Sequence, residues 1–141
     1  MRLPLIAVAV AGAVSGCIET GTPRSVPDPR LRTLVSQPMG DFLAEARVAS
    51  LLAQGCPAVA MTPELFNALV IARETSRTDG PPFDRDAVVR AAQAAFASRT
   101  ADLRSRHSGD PFRRGTCTVI AAESARGLPA TAFLSPVPRE G

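Results

Sequence analysis

DFLAEARVASLLAQGC, residues Asp41 to Cys56, decides how this chain folds. Phe42, Ala46, Ala49, Leu52 or Ala53, and Cys56 recur at intervals of three and four, the spacing that puts side chains on one face of an α-helix. Pro57 ends that helix, because proline has no N–H to give the helical ladder. The same period returns downstream. TPELFNALVIARET (Thr62–Thr75) opens with a threonine cap and a proline at the first helical position, and Leu65, Leu69 and Ala72 line one face beside Phe66 and Val70. DGPP (Asp79–Pro82) reads as a loop. Asp84 then caps a long helix to His107, with Val88, Ala92, Ala95 or Phe96, Arg99 and Leu103 in register. After SGD, Asp110-Pro111 repeats the cap-plus-proline start, so a fourth helix is expected from there to about Arg126. Gly127 is placed to close it and Leu128 to make the accompanying apolar contact. No run alternates apolar and polar residues, so strands are not expected. The expected fold class is all-α: a small antiparallel four-helix bundle over residues 39–134, followed by a tail at 135–141.

Composition agrees. A chain of 141 residues, 45% hydrophobic and 21% charged, has the balance of one globular domain. With six Phe and neither Trp nor Tyr, the core must be mostly Ala, Leu, Val and Phe, which favours close helix packing. All sixteen basic residues are Arg, either through GC-rich coding bias or because the guanidinium fork suits phosphate and carboxylate. The formal net charge of +3 gives no case for nucleic-acid binding.

The chain begins with Met1-Arg2 and an apolar stretch, LPLIAVAVAGA (Leu3–Ala13), too short to span a bilayer, which takes about 20 residues. Val14-Ser15-Gly16-Cys17 follows, and this hydrophobic core ending in small residues and a cysteine resembles the lipobox of bacterial lipoproteins. The resemblance implies a signal peptide over residues 1–16 and cleavage before Cys17, whose thiol takes a diacylglyceryl group. The mature protein would then be an acylated membrane protein on the periplasmic side of the cell envelope. Ile18, where Asp would favour inner-membrane retention, points to the outer membrane. The alternative is an ordinary signal peptide cut near Ala11-Gly12-Ala13. Residues 17–38 hold four prolines and scattered polar residues, and are expected to form a flexible tether, with docking of Leu31–Val35 on the domain as the alternative.

Setting Cys17 aside leaves Cys56 and Cys117, and an even pair in an oxidising compartment is expected to form a disulfide. Helix order supports this: in an up-down-up-down bundle the first helix ends and the fourth begins at the same end. A redox or metal pair is the less economical alternative, since there is no CxxC and only one histidine.

Chemistry is less legible. His107 is expected to be a solvated residue at the end of the third helix, where a cation suits the dipole; a catalytic histidine is the alternative. HExxH, GxSxG, Walker and GxGxxG motifs are absent, so no catalytic residue, metal or cofactor is expected. Arg99, Arg104, Arg106, Arg113 and Arg114 crowd the third inter-helix connection, and Arg113 and Arg114 oppose the dipole in the expected first turn of the fourth helix. Arg104, Arg106, Arg113 and Arg114 form a candidate surface for a protein partner or an anion, or else a solvated basic face. Phe133 and Leu134, in the C-terminal stretch Leu128–Pro138, either fold back or offer an apolar contact.

The domain, through GCPAV (Gly55–Val59) and Cys117 early in the last helix, resembles uncharacterised small exported helical proteins of alphaproteobacteria. More loosely, lipobox, tether and single disulfide resemble the pilotin lipoproteins of type II secretion, which hold a helix of a secretin subunit in a groove. Together these imply a membrane-anchored, non-catalytic binding or assembly module for another envelope protein. The alternatives are a lipid-head-group or small anionic ligand binder, or an enzyme of unknown class.

Overall fold

The structure, a computed structural model, describes residues 28–76 and 83–138. Expectations for residues 1–16, Cys17, residues 18–27 and the DGPP loop fall outside them. Among the described residues there are five helices, α1 (Pro29–Ser36), α2 (Met39–Gly55), α3 (Pro63–Ser76), α4 (Arg85–Arg106) and α5 (Thr116–Arg126), with a 3₁₀ turn (Pro129–Phe133) and two short strands. The protein is therefore mostly helical, as its periodicity implies, with one helix more than the four expected.

That extra helix corrects the tether. Residues 28–38 are not free linker: Asp28 caps α1 by accepting from the Arg30 N–H at 2.9 Å, and Pro29 sits in the first turn, where its missing N–H costs nothing. Leu31, Leu34 and Val35 share a face, and Leu34 is wholly buried. Two arginines fasten the helix. Arg73 Nη1 on α3 donates to the carbonyls of Leu34 at 2.6 Å and Val35 at 3.1 Å, meeting acceptors that a helix C-terminus leaves open. Arg30 Nη1 donates to Ser124 Oγ and Thr131 Oγ1, both at 2.9 Å.

Helix α2 is the hub. Phe42 on α2, Phe66 on α3 and Phe133 in the 3₁₀ turn form an aromatic cluster with ring centroids 5.7 to 6.2 Å apart. The Arg73 guanidinium lies 4.7 Å from the Phe42 ring centroid. Along α4 the contact is made by small residues. A Cβ on Gly40 would fall 2.6 Å from Ala91 Cβ, so only glycine lets these backbones approach so closely.

Strands β1 (Val59–Met61) and β2 (Leu134–Pro136) pair antiparallel, Val59 opposite Pro136 and Met61 opposite Leu134. Three residues are too few to display a period of two, which is why no strand was expected. The pairing carries the tail back, with Phe133 fully buried.

The fourth expected helix starts late. Asp110 caps a turn, accepting from the Phe112 N–H at 3.0 Å, and the chain reaches α5 only after Gly115, whose φ of +73° breaks any helix begun at Pro111. Arg113 and Arg114 precede α5 rather than occupying its first turn. Cys117 occupies the first turn of α5 rather than the second turn of the expected helix, and it is disulfide-bonded to Cys56 across a Cα–Cα distance of 5.0 Å. Gly55 makes room for this junction: a Cβ there would lie 2.8 Å from the Phe112 carbonyl oxygen. Closing the intervening loop removes about 4 kcal/mol of chain entropy from the unfolded state.

Leu34→Ala should lower unfolding free energy by about 2–5 kcal/mol in urea titrations, the cost of emptying a core position. A residue in a free tether would leave the midpoint where it was.

Candidate functional site: an ionic pocket between α2, α4 and α5

Charged residues at core-register positions have to be buried with a partner. Three such residues define the site. Glu45 follows Phe42 by three and precedes Ala49 by four; Arg99 follows Phe96 by three and precedes Leu103 by four; Glu123 follows Ile120 by three and Val119 by four. The carboxyl-bearing side chains of Glu45 and Glu123 are 0% and 1% exposed.

Arg99 Nε donates to Glu45 Oε1 at 2.7 Å, and its Nη2 lies 3.6 Å from Asp41 Oδ1. Glu123 draws three partners. Arg106 grips it in fork geometry, Nε to Oε1 at 3.1 Å and Nη2 to Oε2 at 2.9 Å. His107 Nε2 lies 2.7 Å from Oε1, and Arg126 Nη1 reaches the same oxygen at 3.3 Å. Arg106 also pairs with Asp102, one turn back on α4. Burial alone would raise the Glu123 carboxyl, but the hydrogen bonds from Arg106 and His107 outweigh it and hold it below the usual glutamate value. The bond to Glu45 raises the Arg99 guanidinium further, and that to Glu123 does the same for Arg106.

Glu45, Arg99, Asp102, Arg106, Glu123 and Arg126 line an open pocket of about 330 Å³, completed by Thr33 on α1, Gln37 just after it and the chain at Gly127–Pro129. Two of its polar atoms have no hydrogen-bond partner within the protein, Glu45 Oε2 and Gln37 Nε2. One is a carboxylate acceptor and the other an amide donor. A second hollow of about 310 Å³, lined by Met61, Pro63, Phe66 and Asn67, carries no ionisable group.

Of the four arginines of the expected surface, one is held in ion pairs and the other three are exposed. Arg106 is committed to Glu123 and Asp102. Arg104 is exposed, its guanidinium 6.0 Å from the Phe112 ring centroid. Arg113 is 84% exposed with Nε 3.5 Å from Asp110 Oδ2, and Arg114 is exposed beside it. His107 does follow the last residue of α4, its N–H bonded to the Leu103 carbonyl at 3.1 Å, but its ring is turned onto Glu123 and only 17% of the side chain is exposed. Among the described residues no three His, Cys, Asp or Glu side chains converge as metal ligands. No family model, curated protein or solved structure matches the chain.

The Glu123 cluster predicts an acid limb. Because the folded carboxyl titrates below the unfolded one, its contribution to stability is complete above about pH 4.3 and is lost as pH falls through the lower folded value. Urea midpoints measured from pH 7 to pH 3 should therefore drop steeply in the native protein. Glu123→Gln should start lower at pH 7 and fall less over the same range; parallel profiles would mean that the cluster contributes nothing.

Proposed function

We propose that this chain is a lipid-anchored, non-catalytic binding module of the bacterial cell envelope, and that its binding site for another envelope protein is the pocket between α2, α4 and α5. The observation that carries this reading is the open pocket and, in its wall, the buried Glu45 carboxylate, whose Oε1 is held by Arg99 and whose enclosed Oε2 has no hydrogen-bond partner. A buried acceptor left without a donor costs about 1–3 kcal/mol, an expense natural proteins seldom retain without a use for it. The pocket's other charged groups are held by one another, an arrangement suited to a rigid recognition surface.

The anchor rests on Val14-Ser15-Gly16-Cys17, with residues 1–16 as signal peptide and the outer membrane as destination. With α1 belonging to the folded domain, the linker from Cys17 shortens to the residues before Asp28. Even fully extended, that chain reaches at most about 40 Å, so the pocket works close to the membrane. In this position Arg113 and Arg114, exposed on the same short loop, favour a second reading: contact with anionic head groups.

Expressed in a bacterial host with an alkyne palmitate analogue, the native chain should be labelled and pellet with membranes, while Cys17→Ala is unlabelled. Absence of label on the native chain would remove the anchor. Replacing Arg113 and Arg114 with Ala should weaken sedimentation of the unacylated Cys17→Ala protein with anionic liposomes and leave neutral liposomes unaffected; equal sedimentation would exclude the second reading.

A further inference from the structure

The formal charges of the pocket cancel, Glu45, Asp102 and Glu123 against Arg99, Arg106 and Arg126, but solvent does not meet the two signs equally. Glu45 and Glu123 are buried, whereas the side chains of Arg99, Arg106 and Arg126 are 36%, 28% and 57% exposed. Asp102 is the acid of the lining that solvent reaches, and it is paired with Arg106. The wall that an entering ligand touches is therefore mostly guanidinium. Its donors are only partly engaged. Arg99 gives Nε to Glu45 and Arg126 gives Nη1 to Glu123, while Arg99 Nη1 and Arg126 Nε and Nη2 have no hydrogen-bond partner among the described residues. Leu128 and Pro129, both half-buried, add an apolar part to the same wall.

From this we infer that the pocket takes a carboxylate borne beside an apolar group, the carboxylate on Arg99 and Arg126 and the apolar group against Leu128 and Pro129. Within a protein, a carboxylate on the same carbon as an apolar side chain is found at the C-terminus. The ligand is accordingly the apolar C-terminal residue of the partner protein. The inference rests on the proposed reading of the chain as a binding module and names what its site recognises.

Three features favour this ligand over others. A cation would meet three exposed guanidiniums before any buried acid, and like charges repel. A dianion such as phosphate would be poorly neutralised, because each arginine already shares its charge with a carboxylate and the exposed Asp102 stands in the same wall. A planar monoanionic carboxylate matches the guanidinium fork and asks for no more charge than the wall can offer. The volume of about 330 Å³ lies at the lower end of ligand-pocket sizes and suits one terminal residue better than a lipid head group with its chains.

The test is a ¹⁵N–¹H titration of the purified protein with four probes at matched ionic strength: N-acetylleucine, its neutral amide, sodium acetate and inorganic phosphate. N-acetylleucine should give saturable shifts of the Arg99 and Arg126 Nε–H and of the Gly127 and Leu128 amides, with affinity at least tenfold above the other three probes. No saturable shift, or affinity equalled by the amide, by acetate as a stand-in for an acidic side chain, or by phosphate, overturns the inference. Arg126→Gln leaves Glu123 with Arg106 and His107, and Arg126→Lys also keeps the positive charge while losing the fork. Both should retain the native thermal transition and bind N-acetylleucine at least tenfold more weakly, whereas replacing Arg113 and Arg114 with Ala should leave its affinity unchanged. Native affinity in both Arg126 variants, or an equal loss in the loop variant, also overturns it. A photoreactive residue at the exposed Thr33, on the pocket's rim, tests the binding-module reading by itself in membranes. Cross-links to a protein without N-acetylleucine binding would overturn this inference alone, and N-acetylleucine binding without cross-links would overturn the protein-partner reading alone.

Discussion

Helix α2 is enclosed on so much of its circumference that a charge placed on it must be dealt with inside the protein. Phe42, Ala44, Ala46, Val48, Ala49 and Leu52 are all buried, so the helix has neighbours on nearly every side. Glu45 falls among them and cannot turn its carboxylate to bulk water. Removing a carboxylate from water costs several kcal/mol unless a donor meets it. Arg99 is that donor, and it stands on α4 because glycine and alanine let the α2 and α4 backbones come close. The close packing and the ion pair therefore require each other.

The same necessity extends along α4. Arg99, Asp102 and Arg106 fall at intervals of three and four on one face, and this face turns towards α5, where Glu123 presents a second buried carboxylate. α1 and the 3₁₀ turn then close the remaining sides, tied through Arg30 to Ser124 and Thr131. The pocket is thus bounded by four helices and a turn and belongs to no single element. Its geometry depends on the whole domain being folded, which also makes its polar groups sensitive to any loosening of α1.

Much of the helical frame was legible in the sequence, and the reasons are local. Asp84 capping and apolar recurrence place α4 within one residue at either end, because both signals act within a turn of the chain. The cap-plus-proline signal is ambivalent. Thr62-Pro63 begins a helix, whereas Asp110-Pro111 begins only a turn, because Gly115 a few residues on takes a left-handed conformation that no helix continues through. Asp28-Pro29 carries the same signal and does start a helix, but the prolines around it read as linker, and α1 is held by Arg30 and Arg73 contacts with residues far along the chain. The site lay deeper still. Glu45, Arg99 and Glu123 sit at core-register positions, which was the available sign. Which acid meets which arginine is decided by tertiary packing, and the visible cluster of arginines near residue 113 drew attention to the loop instead.

The disulfide joins these two levels. It pins the last residues of α2 to the first turn of α5, at the end where Gly55 allows the chains to touch. At 1.5 Å per residue, Glu45 stands about 16 Å along α2 from that pin and Glu123 about 9 Å along α5. Both residues nevertheless line one pocket, bridged by α4, whose Arg99 meets Glu45 and whose Arg106 meets Glu123. A bond that stabilises the domain by restricting the unfolded chain therefore also limits how far α5 can slide along α2. Because the acids are spaced to meet α4 arginines in that register, a slide of one turn would leave a buried carboxylate facing no cation. The penalty for that unpaired charge is what makes the register, and with it the placement of the Glu45 carboxylate, sharply defined.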